Sequence, residues 1–127
     1  MLPFSIEIKA GLPVAEQILF AVKKAVVAGQ LRPGDKFPSV RVLSQALRIN
    51  PNTAHKVIAA LVSQGVIITT PAIGSVIAAR EAGSARERAE LLGADLERLV
   101  VEAKKLGLDL AEVQAGLAAQ WKKLSAK

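Results

Sequence analysis

Cysteine and tyrosine are missing from this 127-residue chain, and histidine, tryptophan and methionine occur once each. Without cysteine there are no disulfides, no thiolate nucleophile and no sulfur-ligated metal. A lone His55 leaves too little for a histidine-based metal centre or a Ser-His-Asp triad. No apolar run approaches the roughly 18 residues of a membrane span, and the N-terminus lacks a basic segment followed by an apolar core. The chain therefore reads as cytoplasmic, with no membrane association. No Gly-rich phosphate loop and no paired carboxylates in a pocket-like context are present, so the residue inventory predicts no catalytic residues, no metal and no cofactor.

What is present is apolar material and positive charge. The composition, 51% hydrophobic and 22% charged, is that of a globular chain rather than a disordered one. Net charge is +6 and unevenly placed. Residues 1–79 carry eight Lys/Arg against three Asp/Glu, and residues 80–127 carry nine against eight. The first segment is suited to a polyanion and the second to water and protein contacts.

Periodicity divides the chain further. Phe4-Ser5-Ile6-Glu7-Ile8-Lys9 alternates apolar and polar, predicting a short half-buried strand. After Gly11 and Pro13, the spacing of Val14, Ile18, Val22, Ala25 and Val26 predicts a helix that Gly29 ends. Leu31 to Asp35 is a turn by composition. Ser39 is a candidate N-cap for a second helix of about eight to ten residues with Val40, Leu43 and Leu47 inward. Asn50 followed by Pro51 is the strongest start signal in the chain, opening a third helix to about Gln64, with Gly65 beyond it. Val66–Thr70 and Ser75–Ala79 flank Pro71-Ala72-Ile73-Gly74 and predict a β-hairpin.

Residues 80–83 read as a linker. Ser84 and Glu87 match a capping box. Beyond them Ala85, Ala89, Leu92, Leu96, Leu99, Ala103 and Leu106 keep a 4-3-4-3-4-3 spacing, a heptad seam over about 33 Å of helix. Gly107 interrupts it. Asp109 and Glu112 open a last helix with Leu110, Val113, Leu117, Trp121 and Leu124 inward. The expected fold is mainly α with a small β-wing: a winged helix-turn-helix domain over 1–79, then a two-helix dimerisation segment over 84–127. Two C-terminal helices have little to pack against within one chain. The seam is therefore assigned to a homodimer, through Leu92, Leu96, Leu99, Leu106, Leu117 and Trp121. Trp121 is read as packing rather than ligand stacking.

The second and third helices, joined by about three residues, have the shape of a helix-turn-helix. The third buries Ala54, Val57, Ile58, Leu61 and Val62 and presents Asn52, His55, Lys56, Ala59 and Ser63, with Thr53 at the shoulder. That outer face holds amide, hydroxyl and cationic groups and no acid. It can enter a major groove without repelling phosphate, and an asparagine can pair with an adenine edge. A solvated helix would look the same; the hairpin immediately downstream favours DNA.

The string Gly29-x-Leu31-x-Pro33-Gly34-Asp35-x-x-Pro38-Ser39-x-Arg41-x-Leu43, with Asn50-Pro51-Asn52-Thr53 and Leu61 to Gly65, resembles the DNA-binding domain of GntR-family regulators over residues 10–79. Asn-Pro-Asn-Thr and the short tail resemble the YtrA-like subfamily in particular. The resemblance implies a homodimeric transcriptional repressor on a pseudo-palindromic double-stranded DNA operator, with helix 52–64 in the major groove. It makes Arg41 a base or phosphate contact, with Ser39 beside it. It also draws contacts from Asn50, Asn52, Thr53, His55 and Lys56, and has Gly74 shape the wing tip. The wing departs from the family: Thr70-Pro71-Ala72-Ile73-Gly74-Ser75 has no cation and only the second glycine of the usual tip. That departure keeps a second reading open, a winged-helix module for protein or RNA. An unidentified small-molecule effector is a further candidate partner.

Overall fold

The computed structural model describes residues 2–79 and 83–125. Most of the expected linker, residues 80–82, lies outside the described residues. The chain divides into two compact units with the boundary between Arg80 and Glu81.

In the first unit, Pro13 precedes α1 (Val14–Val27), which buries Ile18, Val22 and Ala25. Ser39 caps α2 (Val40–Leu47), its Oγ accepting from the Val42 N–H at 3.2 Å. Asn50 caps α3 (Pro51–Ser63), its Oδ1 accepting from the Asn52 N–H at 2.7 Å, with Pro51 at the first helical position. Each cap satisfies a backbone donor that the first helical turn leaves unpaired. α3 packs against both α1 and α2 through Ala54, Val57 and Leu61, all fully buried. Val62, expected on this face, is 43% exposed, because the buried stripe of α3 runs 54-57-61 and is narrower than the sequence pattern allows. Gly65, at φ +72, turns the chain out of α3.

β1 (Ile67–Thr70) and β2 (Gly74–Ile77) pair antiparallel, with Ile67 opposite Ile77 and Thr70 opposite Gly74. Ile67 and Ile77 face the core. Each strand is shorter than its apolar run suggested. The preceding segment also lies along β2: the Gly34 and Phe37 N–H groups donate to the Ile77 and Ser75 carbonyls, and the Ile77 N–H donates to Asp35, each at 2.8 Å. Lys36 bridges Val76 in this third row. Pro, Gly and Asp dominate this stretch and conceal its strand-like pairing from a composition-based reading.

The N-terminal strand expected over 4–9 is not formed. Phe4 is buried and stacks parallel to Phe37, ring centroids 6.0 Å apart. The Lys9 backbone finds its partners on a side chain: Gln17 accepts from the Lys9 N–H at 2.8 Å and donates to the Lys9 and Leu12 carbonyls. The alternation therefore seats Phe4 and half-buries Ile6 without any ladder.

In the second unit, Ser84 and Glu87 form the capping box that opens α4 (Ala85–Glu90). α4 passes through a π-turn (Leu91–Asp95) into α5 (Leu96–Lys105) with helical backbone angles at both junctions. The Leu96 N–H reaches the Leu91 carbonyl five residues back. The heptad spacing is unbroken in sequence, but this wider turn rotates everything after it by about a quarter turn relative to an uninterrupted α-helix. Gly107, at φ +77, ends α5, with Leu108 donating to Ala103 and Gly107 to Lys104, which satisfies two terminal carbonyls. Asp109 and Glu112 form a second box that opens α6 (Leu110–Lys123).

Candidate nucleic-acid interface

The geometry of the interface follows from how α3 is held. Three fully buried side chains fix its inner face, and the Ser39 and Asn50 caps fix the starts of α2 and α3. The outer face is therefore presented on a rigid element. Asn52, His55, Lys56, Ala59 and Ser63 are all exposed there, and Thr53 is half-buried at the edge. Arg41 is exposed one turn or less from the Ser39 cap, in the first turn of α2. Arg41 follows the cap of α2, and Asn52 and Thr53 follow the cap of α3, each in the first turn of its helix.

Ser39 and Asn50 sit differently from the others. Their side-chain oxygens already serve the backbone of α2 and α3. What each retains for a ligand is the serine hydroxyl hydrogen and the asparagine amide donors. Gly74 is exposed at φ +88 at the mouth of the hairpin, and an added Cβ would meet nothing within 4 Å. The backbone conformation, rather than lack of space, calls for glycine there. The turn it closes exposes Pro71, Ala72 and Ile73 and carries no cation.

Electrostatically the region is one-signed. From Lys36 to Ala79 there are four cations (Lys36, Arg41, Arg48 and Lys56) and no Asp or Glu. Among the described residues the one salt bridge lies elsewhere, between Arg98 and Asp95 at 2.6 Å. From the sequence Lys36 reads as a phosphate neighbour or a solvated charge, and Arg48 was not singled out there. Lys36 is placed beside the wing by its pairing with Val76. Arg48 turns the chain between α2 and α3 in a left-handed conformation. The signal for Arg48 was a helix end with no Gly or Asn to close it.

The residues expected at a dimer interface are all exposed: Leu92, Leu96, Leu99, Leu106, Leu117 and Trp121, the last at 76%. Ala103 is the one buried hydrophobic residue described in this unit. α5 and α6 diverge at Gly107, leaving a groove of about 230 Å³ lined by Val100, Ala103, Lys104, Leu108, Leu110 and Val113 with Asp109. Among the described residues no group of acidic or histidine side chains could hold a metal ion, and no helix is long and apolar enough to cross a membrane.

A profile of bacterial regulatory proteins, gntR family, matches residues 14–77. The chain is similar to the HTH-type transcriptional repressor YtrA of Bacillus subtilis (strain 168), at 30% identity over 109 residues, covering 85% of this chain and 84% of that protein. It is similar in structure to a transcriptional antiterminator from Listeria monocytogenes EGD-e, with a TM-score of 0.82 and 33% identity, covering 94% of this chain and 89% of that one. YtrA from Sulfolobus acidocaldarius, a GntR-family transcription factor, shares the fold at a TM-score of 0.53 and 23% identity, covering 94% and 97%. With α3 and its wing arranged as described, the chain belongs to the GntR family of bacterial regulatory proteins and is a winged helix-turn-helix transcriptional regulator of the YtrA-like type, not an enzyme.

Proposed function

We propose that the protein is a homodimeric transcriptional repressor of the cytoplasm that places α3 in the major groove of a pseudo-palindromic DNA operator. The first 79 residues read DNA, and residues 84–127 join two copies. The observation that carries this reading is the outer face of α3: exposed amide, hydroxyl and cationic groups on a rigidly packed helix, in a 44-residue stretch without an acid. The repressor role rests on the similarity to a protein named as a repressor. Dimerisation rests on the exposed leucines and Trp121 of the second unit. An effector, if the regulator takes one, has the groove at the α5–α6 corner available to it.

Asn52 and Thr53, at the N-terminal end of α3, face base edges in this arrangement, while Lys56 lies nearer the backbone and Arg41 reaches either. Duplexes selected from a random library supply the specific site, and a scrambled duplex of equal composition the control. Asn52→Ala should cost roughly 1–3 kcal/mol on the selected duplex and little on the scrambled one. Lys56→Ala should weaken both alike and reduce the salt slope by about one. Equal weakening of both duplexes by Asn52→Ala would show that α3 does not read sequence. Tighter binding to single-stranded RNA than to any duplex would favour the RNA-module reading.

A further inference from the structure

We infer that Arg48 is a DNA-backbone contact, fixed at the corner of the helix-turn-helix by a left-handed backbone. The inference rests on the proposed mode of binding through α3. Arg48 stands at φ 54 and ψ 49, and it is the one non-glycine residue among those described with a positive φ. The comparable exits from α1, α3 and α5 are all made by glycine, at Gly29, Gly65 and Gly107. A side chain at such a position meets steric resistance that glycine avoids. At the end of α2 the chain bears that resistance and places an arginine there.

Among the described residues nothing accounts for the choice. Arg48 is exposed, so its side chain fills no core space. Among the described residues its guanidinium forms no salt bridge, and no Asp or Glu occurs anywhere from residue 36 to residue 79. The turn itself is closed by backbone groups: the Arg48 and Ile49 N–H groups both donate to the Ser44 carbonyl, as they would with glycine in place. The position is informative as well. Arg48 lies two residues ahead of Asn50, the cap of α3, and so travels with the end of α3 that enters the groove. A helix lying in the major groove is bordered by phosphates, which cations flanking its leading end meet without reading sequence. The wing tip of this chain has no cation. Arg48 supplies a positive charge from the turn that leads into α3.

Arg48→Gly separates the two roles, because glycine favours the turn and lacks the charge. In the full-length protein its thermal midpoint should equal or exceed that of the parent. It should bind the selected and scrambled duplexes several-fold more weakly, with a salt slope smaller by about one. Arg48→Lys should retain most of the affinity on both. If Arg48→Gly binds both duplexes with parental affinity and slope, the inference fails while the α3 reading stands or falls on Asn52→Ala. A loss confined to the selected duplex would make Arg48 a base reader and overturn the backbone assignment. Absence of salt-dependent duplex binding by the parent would remove the underlying reading, and this inference with it.

Discussion

Asn50 commits its side-chain oxygen to the Asn52 N–H, and Asn52 is the residue assigned to a base edge. The cap therefore does more than end a helix: it sets the angle at which the reading side chain leaves the first turn. Asn50→Ala should lower stability by about 1 kcal/mol in urea denaturation, and Asn50→Ser by much less, since serine caps nearly as well. Leu43 is fully buried where α2 meets the core. Leu43→Ala should cost about 2–5 kcal/mol in the same measurement, the usual range for deleting a buried leucine side chain. Ser39, Asn50, Pro51 and Gly65 could be placed from sequence alone because capping is local chemistry, decided within three or four residues. Arg48 could not, because its conformation opposes its own local preference and is imposed by the packing of α2 against α3. Lys9 was misplaced for the opposite reason: the partner of its backbone is Gln17, eight residues away on a helix face, and alternation in the segment cannot reveal it.

At the scale of elements, the start of α4 is the pH-sensitive one. Hydrogen bonding from the Ser84 backbone N–H, and then from its side chain, holds the Glu87 carboxyl below the ordinary glutamate range. A lowered folded value favours the folded box at neutral pH. That stabilisation is complete above the unfolded glutamate value and is lost as pH falls through the lowered folded value. Amide exchange at Ser84 and Glu87 should accelerate across that acidic window relative to the middle of α5, and Glu87→Gln should remove the pH dependence. The π-turn makes a second expectation. Deleting Gly93, whose surroundings leave open space, removes the extra residue of the turn and should restore α-helical hydrogen bonding from Ala85 to Lys105. Far-UV circular dichroism would show equal or greater helicity per residue. The seam was readable as spacing, but spacing assumes constant winding, and the winding changes at Leu91–Asp95. The hairpin was readable because Val, Ile and Thr cluster on either side of a Pro-Gly turn; its third row, at Gly34–Phe37, was hidden behind turn-forming residues.

For the whole molecule, the two units differ in how they are held together. The first has a continuous core from Phe4 to Ile77. The second exposes most of its large apolar side chains, from Leu91 to Trp121. A row of exposed large apolar side chains is suited to the proposed contact with a second copy. Leu96→Glu with Leu99→Glu should give monomers in sedimentation. A fragment ending at Ala79 should bind a selected palindromic duplex much more weakly than the full chain, because each linked half-site raises the effective concentration of the other. Fold class was legible in the sequence since it follows from the order of elements.

The divergence of α5 and α6 at Gly107 carries a consequence for how such a regulator responds to its own abundance. In the proposed homodimer, a tail that buries little by itself gains its ordering from a second copy, so its folding and its assembly become a single equilibrium. Its melting temperature should then rise with protein concentration while that of the first unit stays constant. Below the dissociation constant of the pair, the two-headed species grows as the square of the amount of chain, and promoter occupancy follows it. Under the proposed repression, a halving of expression would release the regulated genes by more than half, giving a sharp dosage threshold from two helices whose leucines lie exposed.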